Sequence, residues 1–201
     1  MNGWPATLAA GPIGLRPIRR RDRADWQHLR AVNRDWLVQW DATLPPGGPT
    51  QGRGFGSMVR ELHRLARQGR GLPFVVTYDG RMVGQLTVSN IVWGSARWAQ
   101  VGYWIDRGYA GRGIMPTAVA LAIDHCFFTL GLHRVEVAIR PENVASIRVV
   151  EKLGLRRIGI APRYLHISGD WRDHVLFAVT VEEVPLGLLT RWRETADHAG
   201  Q

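Results

Sequence analysis

Apolar residues recur along this chain with two different periods, and the changes of period mark its elements. Trp26, Leu29, Val32, Trp36, Leu37 and Trp40 stand three or four positions apart in "DRADWQHLRAVNRDWLVQW", which predicts a helix. A short strand and a turn, "LRPIRRRD", precede it, and "DATLPPGGPTQGRG" reads as the loop that follows. Helical spacing returns in "FGSMVRELHRLARQG", with Met58, Leu62 and Leu65 on one stripe and Gly69 as its stop. The period then changes. "LPFVVTY" and "RMVGQLTVSN" read as two strands joined by Asp79-Gly80, a strong hairpin signal. "ARWAQVGYWI" adds a further strand, and a glycine-rich segment leads into a helix from about Arg112 to Leu130. "HRVEVAI" is a strand, and "ENVASIRVVEKLG" is a short helix ended by Gly154. "LRRIGIAPRYLHI" and "WRDHVLFAVT" are two long strands across the polar turn "SGD".

The order β-α-α-β-β-β-α-β-α-β-β mixes hairpins with strand–helix–strand connections. It predicts an α/β (α+β) fold with a mixed sheet covered by helices. A chain of 201 residues suits one domain with a real core. That domain is expected over 15–183, after a loose leader (1–14) and before a tail (184–201) that forms a weak helix or frays.

Composition narrows the class. Apolar residues at 45% and charged residues at 21% are ordinary for a soluble globular protein. No apolar run is long enough to cross a bilayer, and the N-terminus lacks the basic start and apolar core of a signal peptide. With a single cysteine, Cys126, no internal disulfide forms, which fits a cytoplasmic location. The seven histidines show no metal-ligand spacing, so no metal is expected. The net charge is +9, carried almost wholly by arginine, since Lys152 is the sole lysine. Arginine-rich codon usage accounts for most of this; an anionic partner is the sharper alternative. The densest cluster, Arg16, Arg19, Arg20, Arg21 and Arg23, is too short and too interrupted for a nucleic-acid arm, so no stable nucleic-acid binding is expected.

One segment poses a chemical question. "RGYAGRGIMPTAVALAIDHC" places Gly108, Gly111 and Gly113 within six residues, immediately before an apolar helix. Helix N-termini carry unpaired N–H groups and partial positive charge, and glycines let a phosphate approach them. Pro116 sits in the first turn, where its missing N–H costs little. A Walker loop is excluded, because Ile114 and Met115 follow Gly113; the dinucleotide fingerprint fails too, because the spacing is G-x-x-G-x-G. Taken alone, the cluster fits a flexible loop as well as it fits a phosphate cradle.

Context decides between them. "GYWIDRGYAGRGIMPTAVALAIDHCF" followed by "LHRVEVAIRPENVASIRVVEKLGLRRIG" resembles the acetyl-CoA-binding core of the GNAT acetyltransferases. "YLHISGDWRDHVLFAVT" is similar to the branch that acetylates the N-termini of ribosomal proteins, the RimJ/RimL type. The resemblance spans Leu15 to Val181 and is most specific from Gly102 to Val179. It implies a mixed, mostly antiparallel sheet of about six or seven strands flanked by helices, with a V-shaped splay between the fourth and fifth strands. It implies acetyl-CoA as cosubstrate and direct acetyl transfer to an amine.

The family's phosphate motif falls on Ala110, Gly111, Arg112, Gly113, Ile114 and Met115. Ala110 replaces a polar residue and Met115 a small one, which predicts weakened rather than abolished binding. Tyr103, Trp104 and Ile105 map to a bulged strand whose backbone pairs with pantetheine; the competing role for Trp104 is core packing. Asn143 maps to the residue that bonds the pantetheine arm. Ser146 maps to a candidate acid for the leaving thiolate, or to a helix-capping residue. Arg148 and Lys152 lie four apart and either approach the CoA phosphates or form a solvated face. Cys126 sits at helical spacing among apolar residues and reads as packing rather than as a nucleophile.

The resemblance makes the acceptor the α-amino group of a protein or peptide N-terminus, such as a ribosomal protein. An α-amino pKa of about 7.7–8.0 leaves a useful neutral fraction, so a modest base suffices. Glu136 and Asp173 are the candidate bases, each also suited to a structural ion pair. Trp36, Trp40 and Tyr164 are the aromatics expected on the acceptor side. Two other readings stay open: an acetyltransferase acting on a small-molecule amine, and a CoA-binding or RNA-associated regulatory protein that has lost catalysis. The protein is expected to be a monomer or homodimer, with no membrane partner.

Overall fold

A computed structural model describes residues 3–47 and 54–198; the middle of the predicted loop at 41–54 lies outside them. Eight strands form one sheet: β1 (Leu8–Ala10), β2 (Ile13–Pro17), β3 (Leu72–Tyr78), β4 (Arg81–Val92), β5 (Trp98–Ile105), β6 (Arg134–Ile139), β7 (Arg156–Ile167) and β8 (Asp170–Thr180). The helices are α1 (Arg23–Val32), α2 (Arg34–Leu37), α3 (Phe55–Arg67), α4 (Ile114–Asp124), α5 (Val144–Lys152) and α6 (Leu188–His198). The strand order is β1-β2-β3-β4-β5-β6-β8-β7, antiparallel throughout except for β5 against β6. The fold is thus the mixed sheet covered by helices that the sequence pattern predicts, and the mostly antiparallel one that the resemblance implies.

The period-2 pattern puts apolar side chains on both faces, and helices cover both. Phe74, Val76, Leu86, Val101, Val135 and Val137 meet Ile114, Val119, Ile123, Val150 and Leu188 of α4, α5 and α6 in the larger core. Val75 and Met82, of opposite parity, meet Leu29, Phe55 and Val59 of α1 and α3 in the smaller one. Asp79 and Gly80 both take positive φ, 48° and 77°, which closes the β3–β4 hairpin as Asp-Gly predicts. No helix among the described residues is long and apolar enough to cross a membrane.

Several expectations need correction. The segment expected to be a loose leader contains β1, whose three residues pair with β2 and add the eighth strand. Gly3 is tied down as well, its carbonyl accepting from Nε2 of the buried His125 at 2.9 Å. Hydropathy misses β1 because "LAA" is too short to show a period. The single helix read over Trp26–Trp40 breaks at Asn33. This buried side chain donates Nδ2 to the carbonyl of Leu29 at 2.9 Å and accepts the Arg107 N–H at 2.9 Å, so it satisfies groups that a continuing helix would not. Val32, placed on the apolar stripe, is consequently 62% exposed. The helix read from Arg112 to Leu130 is α4 followed by a π turn over His125–Thr129.

Candidate active site

β5 keeps β4 as a neighbour along its length, but it keeps β6 only from Trp98 to Gln100. Beyond Gln100 and Glu136 the two strands diverge, and β5 from Val101 to Ile105 has no strand on that side. This V is the splay between the fourth and fifth predicted strands. The irregularity beside it lies on β4 near Asn90, whose φ is 52°; it does not lie on the strand of Tyr103, where the resemblance puts a bulge. A cleft of about 530 Å³ runs through the V.

One half of the cleft is built by the turn after β5 and by α5. Asp106 accepts the Gly108 N–H at 3.1 Å and starts a tight turn. Gly111 and Gly113 then take φ of 78° and 74°, conformations that strain residues bearing a Cβ. α4 begins at Ile114, so its first N–H groups have no partner within the helix. Ala110, Gly111, Gly113, Ile114 and Met115 line the cleft, while the Arg112 guanidinium lies over the Tyr109 ring, 5.2 Å from its centre, and does not. Arg148 and Lys152 line the cleft from α5 and place two cations beside the start of α4. The site fits the diphosphate of a nucleotide cofactor: unpaired N–H groups at a helix start, left-handed glycines and two cations converge on one space.

The helix α6 braces this half. Trp192 donates Nε1 to the Thr117 hydroxyl at 2.9 Å, and that hydroxyl donates to the Gly113 carbonyl at 2.9 Å. A Cβ added to Gly113 would lie 3.6 Å from the Trp192 ring. The Asp124 carboxylate accepts the Leu188 and Leu189 N–H groups at 2.6 and 3.0 Å, capping α6 from the far end of α4. Arg191 donates to the carbonyl of Leu153, just past α5, at 2.6 Å. One tail helix thereby fixes both cofactor-side helices.

Between the arms of the V, Asn143 caps α5 by accepting the Ser146 N–H at 3.1 Å. Ser146 donates Oγ–H to the Tyr103 hydroxyl at 2.9 Å, and Tyr103 donates to the Ser146 carbonyl at 3.1 Å. Both residues line the cleft. Burial pushes the Tyr103 phenol well above its usual range, partly offset by the Ser146 hydroxyl, so it stays protonated at physiological pH.

The other half of the cleft comes from distant segments. Trp104, Gln85, Thr87 and Ser89 form its floor on the sheet face opposite Tyr103. Trp36, Trp40 and Asp41 form its wall. Trp36 donates Nε1 to the Ile105 carbonyl at 3.3 Å. Arg140 stacks over Trp40, 5.3 Å from the ring centre, and donates to the Gln39 carbonyl at 3.0 Å. Asp41 accepts the Ser168 N–H at its backbone oxygen, 3.2 Å, which ties the wall to the β7–β8 turn. Its carboxylate pairs with Arg30, whose guanidinium lies over Trp26 and Trp104. Asp41 is the only carboxylate among the described residues that line the cleft. Gly102 sits between the two halves, and a Cβ there would meet nothing within 4 Å.

The structure therefore brings Tyr103, Trp104, Ile105, Asn143, Ser146 and Arg148 to one cleft with the glycine turn. It does not bring the two predicted bases there. Glu136 accepts from Arg134 at 2.6 Å, and Asp173 accepts the Arg163 N–H at 2.8 Å, each outside the cleft lining. Tyr164 is also elsewhere, accepting from Gln100 Nε2 at 2.6 Å. Cys126 is fully buried, and burial pushes its thiol up to about 12, which makes it a poor nucleophile. No metal-binding cluster occurs among the described residues. Sequence reasoning gives no role to Arg30, Asp41, Gln85, Thr87 and Trp192, none of which stands in a motif, or to Gly102, which opens the segment that carries the resemblance.

Comparison with known proteins supplies the family. The acetyltransferase (GNAT) domain profile matches residues 13–156. The ribosomal protein uS5 alanine N-acetyltransferase of Escherichia coli is 31% identical over 180 residues, covering 88% of this chain and 91% of that protein. A probable N-acetyltransferase of Bacillus subtilis is 31% identical over 174 residues, covering 86% and 96%. Among solved structures, Mycobacterium smegmatis RimJ in complex with CoA-disulfide superposes with a TM-score of 0.89 and 39% identity, each chain being 96% covered. The chain belongs to the GNAT acetyltransferases, is RimJ/RimL-like, and is an acetyl-CoA-dependent N-acetyltransferase.

Proposed function

We propose that this enzyme acetylates the α-amino group of a ribosomal protein N-terminus in the cytoplasm, working as a monomer or homodimer. The observation that carries this reading is the two-sided cleft. Backbone N–H groups and cations stand on one side of the V, an aromatic wall with one carboxylate stands on the other, and Gly102 keeps the passage between them open. The acceptor is assigned by likeness to the E. coli enzyme and M. smegmatis RimJ, the chemistry by the cleft.

In this reading the N–H groups from Gly111 to Met115, with Arg148 and Lys152, hold the diphosphate of acetyl-CoA. The free edge of β5 at Tyr103–Ile105 pairs with the pantetheine amides as a strand would, and Asn143 holds the start of α5 against them. Acetyl-CoA supplies a thioester. The neutral amine attacks its carbonyl carbon, a C–N bond forms, and the C–S bond breaks. Ser146 and Tyr103 already share a hydrogen bond, so either hydroxyl protonates the departing sulfur and draws a replacement proton through the other. Asp41, held by Arg30, lines the acceptor side, and the proton the attacking amine loses passes to solvent water. An N-terminal amine needs little more, because its pKa of about 7.7–8.0 is close to cellular pH.

The test is thiol release from acetyl-CoA with peptides beginning Ala, Ser or Met, against the same peptides blocked at the α-amine and against spermidine. Turnover on a free N-terminus and none on its blocked form is expected. Turnover on spermidine with none on any peptide would overturn the acceptor assignment while leaving the transferase intact.

A further inference from the structure

Along the chain, the arginines at 16–23 are too few for a nucleic-acid arm. In three dimensions they are not alone. The face of α3 that carries Phe55, Val59 and Ala66 packs inward, which leaves Arg60, Arg64 and Arg67 on the outside at spacings of four and three. The turn before α1 brings Arg19 and Arg20 beside them, and these five arginines line one surface groove with a single carboxylate, Glu61. Glu61 is engaged by Arg64 at 2.6 Å. The nearby Asp22 is buried and committed to Arg16 at 2.8 and 2.9 Å and to the Arg19 N–H at 2.7 Å, so it holds the turn, and of the groove's arginines its charge acts on Arg19 alone. Arg19, Arg20, Arg60 and Arg67 are exposed and have no carboxylate within ion-pair distance among the described residues.

We propose that this groove is a binding site for the phosphate backbone of RNA, separate from the acetyl-transfer cleft. Four guanidiniums without an ion-pair partner around one concavity repel each other, and a polyanion relieves that repulsion. Arginine's planar fork suits phosphate oxygens. The groove lacks the apolar and aromatic anchors of a protein interface: Val59 is its one apolar lining residue, buried, and no Trp, Tyr or Phe lines it. Affinity there is electrostatic and independent of sequence, as in backbone binding. No residue is shared with the cleft, so RNA and acetyl-CoA bind together. The choice of RNA rests on the proposed ribosomal acceptor, whose N-terminus would be presented on an RNA-rich surface.

The test uses the full chain and a fluorescein-labelled single-stranded RNA of mixed sequence, followed by anisotropy over a range of salt concentrations. Four phosphate contacts predict a slope of log K against log salt of about −3. The double variant Arg60→Glu/Arg67→Glu should weaken RNA binding at least tenfold and flatten the slope, with peptide acetylation unchanged. Equal RNA binding by the variant and the parent would overturn the site. Tighter binding of a charge-matched polyglutamate peptide would reassign the groove to an acidic protein, and tighter binding of duplex DNA would remove the link to RNA. Loss of peptide acetylation in the parent protein is a separate failure, of the proposed acceptor and not of the groove.

Discussion

The two halves of the cleft are built in different ways. The half proposed to hold the cofactor comes from one stretch of about fifty residues, Tyr103 to Lys152, and offers largely main-chain groups. The acceptor half gathers Arg30, Trp36, Trp40, Asp41, Gln85 and Thr87 from separate elements, and it works through side chains held by their neighbours. A backbone site depends on where glycines and helix starts fall, so different side chains can furnish it. A side-chain site depends on packing among remote segments and can change its acceptor without changing the fold.

Substitutions at the Ser146–Tyr103 pair should have the largest effect. Ser146→Ala and Tyr103→Phe are each expected to lower kcat by about a hundredfold or more, the usual worth of a positioned acid, with the acetyl-CoA Kd nearly unchanged. The double variant should be little worse than either single one, because one hydrogen bond makes the two hydroxyls a unit. Full additivity in steady-state kinetics would separate them. Next comes the cofactor half. Gly113→Val forces a β-branched residue to φ of 74° beside the Trp192 ring, and should raise the acetyl-CoA Kd about ten- to a hundredfold by calorimetry. A smaller effect is expected from Trp192→Phe, which keeps an aromatic ring but removes the indole N–H and its hydrogen bond to Thr117. One such bond is worth about 0.5–1.5 kcal/mol, so the acetyl-CoA Kd should rise about two- to tenfold while the acceptor KM holds. A change confined to the acceptor KM would show that α6 does not brace the phosphate cradle.

The same contrast explains what the sequence reveals. Strand and helix periods and the Asp79-Gly80 hairpin are local signals, and a mixed sheet covered by helices follows from them; the glycines at 111 and 113 fit a loop equally well on their own, and the resemblance of the segments around them is what marks the cofactor half. Asn33 is not local in this sense: its partner Arg107 lies 74 residues away, so the break between α1 and α2 has no nearby signature. Asp41 stands in a loop-like stretch without a motif, and only the β7–β8 turn and Arg30 reveal that it borders the cleft. Glu136 shows the converse error. Its alternation with Val135 and Val137 places it correctly on the polar face, but Arg134, two residues before it, takes up its carboxylate. Met115 and Ala110, which depart from the family motif, still line the cleft.

The most direct test of the two-sided cleft is Gly102→Leu. Gly102 lines the passage, its φ is not positive, and a Cβ there meets nothing within 4 Å, so the fold should tolerate the change. Acetyl-CoA affinity and acceptor kinetics should be measured on the same preparation. The account predicts an acetyl-CoA Kd within about twofold of the parent and a loss of peptide kcat/KM of about tenfold or more, the scale on which binding-site fit discriminates. An unchanged kcat/KM for the peptide, or a loss confined to acetyl-CoA binding, would contradict an acceptor that enters from the face of Trp36, Asp41 and Trp104.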